Sequence, residues 1–600
     1  ESTMSPIEYR ITPLDLLGHH YEVDLTIYKP NPDGQRIQLP SWIPGSYLIR
    51  DFSKHIVSIQ AFEGTTAKGK TISLKKINTS TWEISHHPKP VTIRIQVYAF
   101  DTSVRTAYLD QFRGFFNPSS LCLQVLGQAH LPCKVVIHEP KGSNTSKWSV
   151  ETTLTPKEIK SSGFGSYTAS SFDELIDHPV ALGQFTKVRW NSHGIPHRMV
   201  IQGNINEIDV KRLEKDLRAI CDSHIRFFEP KSLKAPFNEY LFIVNTVNNG
   251  YGGLEHRSST ALLCNRSDLP YLSRFNEHLP NQKAYEDFLG LCSHEYFHAW
   301  MVKKIQPSAF QPYVLDRKNF TTLLWLFEGF TSYYDDLQLF RSERISKERY
   351  LERVLDNWNG VLRGPGRFKQ SLADSSFDAW TKYYQADENT PNAVVSYYAK
   401  GALVALALDL SIRTFTKHKK SLDDVMRQLW KVHGGFGNHH GIGLNEGGFG
   451  DDFSKAVLTI TGSGFKSSWE EFSRKYINGT HDLPLEKLLN DHSISVKQKT
   501  MSKPDRLKSI LGIRTSATDG WLKVTHVLEG GQAQAAGIAP GDLLIAINDE
   551  RITPNRWDSL LNNLNSRSAK LVFSRHDVLM NLRIQFEGKP WVQYELNPTE

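Results

Sequence analysis

Two histidines four residues apart, with a glutamate after the first, stand in LCSHEYFHAW over residues 291–300 of this 600-residue chain. Four residues is just over one helical turn, so His294 and His298 lie one above the other and can turn imidazole nitrogens toward a single ion. Glu295 then stands beside that ion without ligating it, where a general base can take a proton from metal-activated water. The chemistry this implies is metal-assisted hydrolysis.

Catalytic zinc keeps three protein ligands and one open position, so a third ligand is required. The stretch TTLLWLFEGFTSYYDDLQLF, residues 321–340, predicts a helix with Leu323, Leu326, Phe327, Phe330, Tyr334 and Leu337 along its apolar stripe. Glu328 interrupts the apolar run WLFEGF, and a carboxylate buried there is costly unless it has a partner, which zinc supplies. Asp335, seven residues on and on nearly the same face, can accept a hydrogen bond from the outer nitrogen of a ligand histidine and fix its tautomer. GYGGLEH, residues 250–256, offers Gly252 and Gly253 for close backbone approach to a ligand, followed by Glu255 and His256.

These residues need several elements to position them. The length exceeds one ordinary core and predicts three to five units. From Ile7 to about Trp190, short alternating runs such as YEVDLTIY and VTIRIQVYAF predict an all-β domain, a sandwich or a saddle-shaped sheet. Within it PSWIPGSYLIRDF, residues 40–52, reads as a rigid ordered loop, a structural corner in preference to a contact made to the active site. Helices follow, led by the amphipathic DVKRLEKDLRAICDSHIRFF, with a strand at YLFIVNTV. The glycine-rich segment 433–450 carries His433, His439 and His440, but so many glycines leave ligands poorly preorganised, and we expect a surface loop.

From Pro504 the chain predicts a separate module of strands and helices. Leu543, Ile545 and Ile547 are expected on one face of a strand, and Thr553 and Pro554 as N-cap and first residue of a helix whose stripe is Trp557, Leu560, Leu561 and Leu564. Its order, and AQAAGIAPGDLLIAIN in particular, resembles a PDZ domain, with Leu511, Gly512 and Ile513 of ILGI where such domains have their carboxylate-binding loop. That resemblance implies a peptide or chain-end ligand taken by edge augmentation.

HEYFH with a glutamate on a later helix resembles the gluzincin metallopeptidases, and GGLEH, LFEGF and YYAKG extend the likeness to their aminopeptidase branch. With PSWIPGSYLIRDF and the terminal module, the chain resembles the glycyl aminopeptidase family over nearly its full length. The resemblance implies a multidomain α+β fold: an N-terminal β domain over 1–190, a thermolysin-like zinc metallopeptidase domain over 191–360, its helical continuation over 361–498, and a PDZ-like domain with tail over 499–600. It also implies one zinc ion per chain on His294, His298 and Glu328, Glu255 holding a substrate's free α-amino group with His256 lining the pocket, and Tyr398 supporting the oxyanion, Tyr397 being the neighbouring alternative. The spacing departs from thermolysin, because Glu328 follows His298 by thirty residues.

The activity expected is removal of N-terminal residues, glycine or other small ones, from peptides. The alternatives are a gluzincin endopeptidase that recruits proteins through the PDZ-like module, or a peptide-binding scaffold with a vestigial metal centre. A net charge of +7, spread along the chain, lacks the basic stripe that nucleic acid binding needs. No run approaches eighteen apolar residues, so no membrane span is expected. Cys122, Cys133, Cys221, Cys264 and Cys292 are too sparse for a disulfide framework and read as buried thiols. The opening ESTMSPIEYR shows no signal sequence, either because one was cleaved upstream or because three residues were added before Met4. The compartment stays open, with the cytoplasm slightly favoured over the periplasm or secretion.

Overall fold

The computed structural model describes residues 5–142, 144–203, 205, 207–272, 282–436, 441–446 and 450–598. The chain forms two compact units: Glu1–Asn319 with Tyr334–Ile345 and Met426–Leu444, and Phe320–Tyr333 with Ser346–Val425 and Asn445–Glu600.

The first unit begins with three β-sheets. Strand Ile7–Asp15 buries alternate residues and pairs antiparallel with His20–Ile27 and parallel with Cys133–Ile137, inside an eight-stranded sheet. Two four-stranded sheets complete the β domain, whose last strand is Val180–Gly183. A boundary at 190 cuts strand Thr186–Ser192, which instead pairs with Ile195–Gln202 in the next, five-stranded sheet. There Ile195–Gln202, Tyr240–Val247 and Ser259–Asn265 run parallel, and helix Val210–Phe228, capped by the Asp209 side chain, makes the first crossover. Strand Gly252–Glu255 pairs antiparallel with Ser259–Asn265 at the edge of this sheet. Helix Gln282–Phe297 packs against both of those strands, so His294 near its end, His298 in the turn that follows it and the GGLE segment belong to one local assembly.

The second unit is helical and ends in a small sheet. The expected single helix over 321–340 is a π-helical stretch, Trp325–Phe330, that continues into α-helix Thr331–Arg341. All six residues of its expected stripe are buried. The terminal sheet runs in the order Ile513–Thr518, Trp521–Val527, Leu543–Ile547, Ser568–Arg575, Val578–Gln585. Two expectations fail in it. A β-bulge between Leu544 and Ala546 shifts the alternation, so Leu544 and Ile547 are buried and Leu543 and Ile545 are not. The helix begins at Trp557, with Arg556 as cap, so Thr553 and Pro554 lie in the turn before it. Its stripe of Trp557, Leu560, Leu561 and Leu564 does enter the core, together with Leu507, Ile510, Leu511 and Ile513. Among the described residues no helix is long and apolar enough to cross a membrane, and all five cysteines are buried thiols.

A buried carboxylate is among the groups that tie the β domain to the five-stranded sheet. Asp177 follows the short helix Phe172–Ile176 and accepts from His256 Nδ1 at 3.0 Å, Arg257 Nε at 2.9 Å and Lys303 Nζ at 3.1 Å. Burial alone pushes Asp177 upward, but Lys303, the hydrogen bond from His256 and Arg257 hold it well below the usual carboxylate range. A carboxylate with a depressed pKa stabilises the fold at neutral pH and loses that contribution as the pH falls through the folded-state value. Removing one partner of such a buried cluster costs about 3–5 kcal/mol. Lys303→Met is therefore expected to lower stability by roughly that amount at pH 7, and by less near pH 4, where the uncompensated carboxyl takes a proton. Urea unfolding of both proteins at the two pH values checks it.

Candidate active site and metal centre

His294 donates from Nδ1 to Asp335 Oδ2 at 2.8 Å, and His298 Nδ1 meets the Met301 carbonyl at 2.8 Å. A carboxylate and a carbonyl accept only, so both Nδ1 atoms carry the proton and both Nε2 atoms present lone pairs. Those two Nε2 atoms are 3.2 Å apart. Ligands about 2.05 Å from a tetrahedral zinc ion are spaced by about 3.3 Å, so the pair fits two corners of such a site. The Asp335 contact is the one the sequence predicts; the Met301 carbonyl, supplied by the turn after the helix, is not legible there.

Glu295 is 4% exposed and Glu255 3% exposed. One ligand atom each of Glu255, Glu295 and His298 lies within 4.8 Å of the others. Strand Gly252–Glu255 comes so close that a Cβ on Gly253 would sit 2.7 Å from Glu295 Oε1, which is why the sequence has glycine there. Among the described residues Glu255 Oε1 is buried without a hydrogen-bond partner, an acceptor suited to a positively charged donor. His256 turns to the Asp177 cluster on the other side, where burial lowers its pKa below the usual imidazole value even though the Asp177 hydrogen bond opposes this.

The 40–52 segment is more than a corner. Gly45, at φ +101°, lies against Glu255, and a Cβ there would be 2.7 Å from Oε1. The loop is anchored by Trp42 Nε1 donating to the Val314 carbonyl at 2.9 Å and by Tyr47 stacking on Phe310 at 5.8 Å. Contacts across more than two hundred residues leave no local pattern, which is why the sequence alone favours the corner over the contact with the site.

In the second unit Glu328 is 1% exposed and lies within the π-helical stretch, two turns before Asp335 on the same helical run. The next residue, Gly329, touches Gly401: a Cβ on Gly401 would be 2.8 Å from Gly329 Cα and 2.8 Å from the Trp325 carbonyl. Backbone contact between Trp325–Phe330 and helix Ala399–Phe415 thus brings the LFEGF and YYAKG segments together. Tyr398 is the residue before that helix rather than a residue inside it. Tyr397 is fully buried, whereas Tyr398 is only half-buried, 3.4 Å from the Tyr384 hydroxyl. Burial, reinforced by Glu328, raises the Tyr398 phenol well above 10, so it stays protonated and able to donate at neutral pH.

Other expectations divide. His433 is buried with Nδ1 on the Ile442 carbonyl at 2.8 Å; His439 and His440 lie outside the described residues. Gly512 ends helix Lys503–Leu511 in the left-handed conformation, its amide bonded to the Lys508 carbonyl. Leu511 and Ile513 point into the core, so this segment is a helix end running into an edge strand, and its Gly512 amide is already engaged.

Gly401→Ala forces a methyl group into the Gly329 contact, and overpacking of this kind costs typically about 1–3 kcal/mol. The variant is expected to melt earlier than the parent and to lose turnover; calorimetry beside a rate assay checks both.

The chain matches two family descriptions, the peptidase M61 N-terminal domain over residues 8–184 and the M61 glycyl aminopeptidase over residues 287–404. Among solved structures it is similar to an aminopeptidase N family protein from Idiomarina loihiensis, 38% identical, covering 99% of this chain and 98% of that one at a TM-score of 0.87. Much looser matches are an M1 zinc metallopeptidase from Deinococcus radiodurans, 12% identical over 80% of this chain and 95% of that one at 0.47, and yeast LTA4 hydrolase, 13% identical over 80% and 68% at 0.45. No curated protein sequence matches the chain. With both M61 segments in order and a 38% identical relative matched along practically its whole length, the chain belongs to the M61 glycyl aminopeptidase family and is a metallo-aminopeptidase.

Proposed function

We propose that the chain removes N-terminal residues from peptides with one zinc ion held by His294, His298 and Glu328. The observation that carries this reading is the pair of imidazoles whose protons are committed to Asp335 and Met301, leaving two lone pairs 3.2 Å apart. When bound, zinc lowers the pKa of water to about 7 and polarises a carbonyl oxygen.

The remaining work falls to the chain's own groups. Glu295 takes the proton of the attacking water and passes it to the departing amine. Glu255, with Oε1 unmatched in a buried position, holds the substrate's α-ammonium and thereby selects a chain terminus. The Tyr398 hydroxyl donates to the oxyanion; one such donor is worth about 3 kcal/mol of barrier. A preference for glycine or another small first residue accords with the family. The module over 499–600 is read as PDZ-like, taking an extended chain end along edge strand Ile513–Thr518.

Glu295→Gln is expected to lower turnover of glycyl amides by about 10²–10⁴-fold with metal content unchanged. Acetylating the substrate's N-terminus is expected to abolish cleavage by the parent enzyme. Full activity of the Gln variant would remove Glu295 from its role, and efficient cleavage of blocked peptides would favour the endopeptidase. Asp335→Ala is expected to weaken zinc binding by about 10–100-fold, read by competition with a chelator.

A further inference from the structure

The segment entering the Tyr398 helix is held from the C-terminal module. Asn392, in the short helix Thr390–Ala393, spends both ends of its amide on one loop: Nδ2 donates to the Val527 carbonyl at 2.9 Å, and Oδ1 accepts the Glu529 amide at 2.8 Å. The Glu529 carboxylate pairs with Lys369 Nζ at 2.9 Å. Lys369 precedes Gln370, whose Oε1 accepts the Val395 amide at 3.0 Å, while the Val395 carbonyl accepts from Ser375 Oγ at 2.6 Å. Loop 527–529 therefore touches both chain segments that frame residues 392–398. Little slack remains between them. A Cβ on Gly366 would collide with the Val394 carbonyl, and Ser396 Oγ caps the Ala399 amide at 3.1 Å, one residue after Tyr398.

The loop itself is rigidly built. The Leu528 amide donates to the Gly512 carbonyl at 2.7 Å and its side chain is 1% exposed. A surface pair such as Lys369 with Glu529, 52% and 44% exposed, contributes little alone. The two-sided Asn392 amide is the stronger and more directional element.

We propose that Asn392 is a positioning residue through which the C-terminal module sets the placement of the Tyr398 hydroxyl, so that the module contributes to the chemical step and not only to recruitment. The inference rests on the reading of Tyr398 as the oxyanion donor. A side chain that acts through another loses its effect when that other is removed, and a double-mutant cycle isolates this coupling.

The test measures kcat and KM of the full chain for a glycyl amide in the parent, Asn392→Ala, Tyr398→Phe and the double variant, with melting temperature and zinc content recorded for each. The expected result is a kcat about tenfold lower for Asn392→Ala with KM nearly unchanged, and no further loss when it is added to Tyr398→Phe. Asn392→Asp, which keeps the acceptor for the Glu529 amide and loses the donor, is expected to retain part of the lost kcat. The same fold loss in both backgrounds overturns the inference and leaves the Tyr398 role standing. An unchanged kcat in Asn392→Ala also overturns it. An unchanged kcat in Tyr398→Phe overturns the oxyanion role, and the inference falls with it. If Asn392→Ala does not fold, the cycle run with Asn392→Asp decides by the same criterion.

Discussion

Two imidazoles facing each other through unprotonated nitrogens define what the rest of the protein must accommodate. Each is fixed in that state by an acceptor on its far side, a carboxylate for His294 and a carbonyl for His298. Close by, Glu255 and Glu295 add two buried carboxylates to the same small volume. Concentrating acceptors in this way is unfavourable unless a cation compensates them, and in low dielectric the cost rises steeply. The arrangement persists because its members sit on rigid elements, the end of a helix and the edge of a sheet.

Crowding of this kind needs backbone without side chains. Gly253 lets the edge strand lie on Glu295, Gly45 lets the distant loop lie on Glu255, and Gly329 with Gly401 lets two helices meet backbone to backbone. Each is a position where a single methyl group would intrude on a charged group or a neighbouring main chain. A glycine beside a functional residue in this chain is thus a statement about distance rather than about flexibility.

The parts of the site that a sequence reader can see are those whose cause is local. HEYFH is legible because four residues bring side chains together on any helix, and Glu328 because a carboxylate stands inside an apolar run. Glu255 and Tyr398 are legible only through likeness to a family, since a glutamate after glycines or a tyrosine before a helix is ordinary by itself. The terminal sheet shows the opposite limit. One bulge beside Leu544 reverses which residues face inward, and no composition rule announces it. The start of the following helix misleads for a similar reason: Thr553 and Pro554 have good cap chemistry, but the chain uses them for a turn and begins the helix at Trp557.

The loop over residues 40–52 bears on why an N-terminal β domain accompanies this chemistry at all. A carboxylate can hold an ammonium group in many clefts, but an open cleft also admits a chain that continues past that point. Gly45 lies against the Glu255 carboxyl and is fixed there by Trp42 and Tyr47, so backbone from the β domain covers one side of that carboxylate. With Glu255 holding the amine as proposed, a peptide whose chain continued beyond it would have to displace a loop whose aromatic anchors are buried, which opposes the endopeptidase register. The Asp177 cluster, joining the same β domain to His256, Arg257 and Lys303, resists such movement. On that proposal, exopeptidase register follows from how the β domain is fastened over Glu255, and the carboxylate of the Asp177 cluster belongs to that domain rather than to the histidine pair.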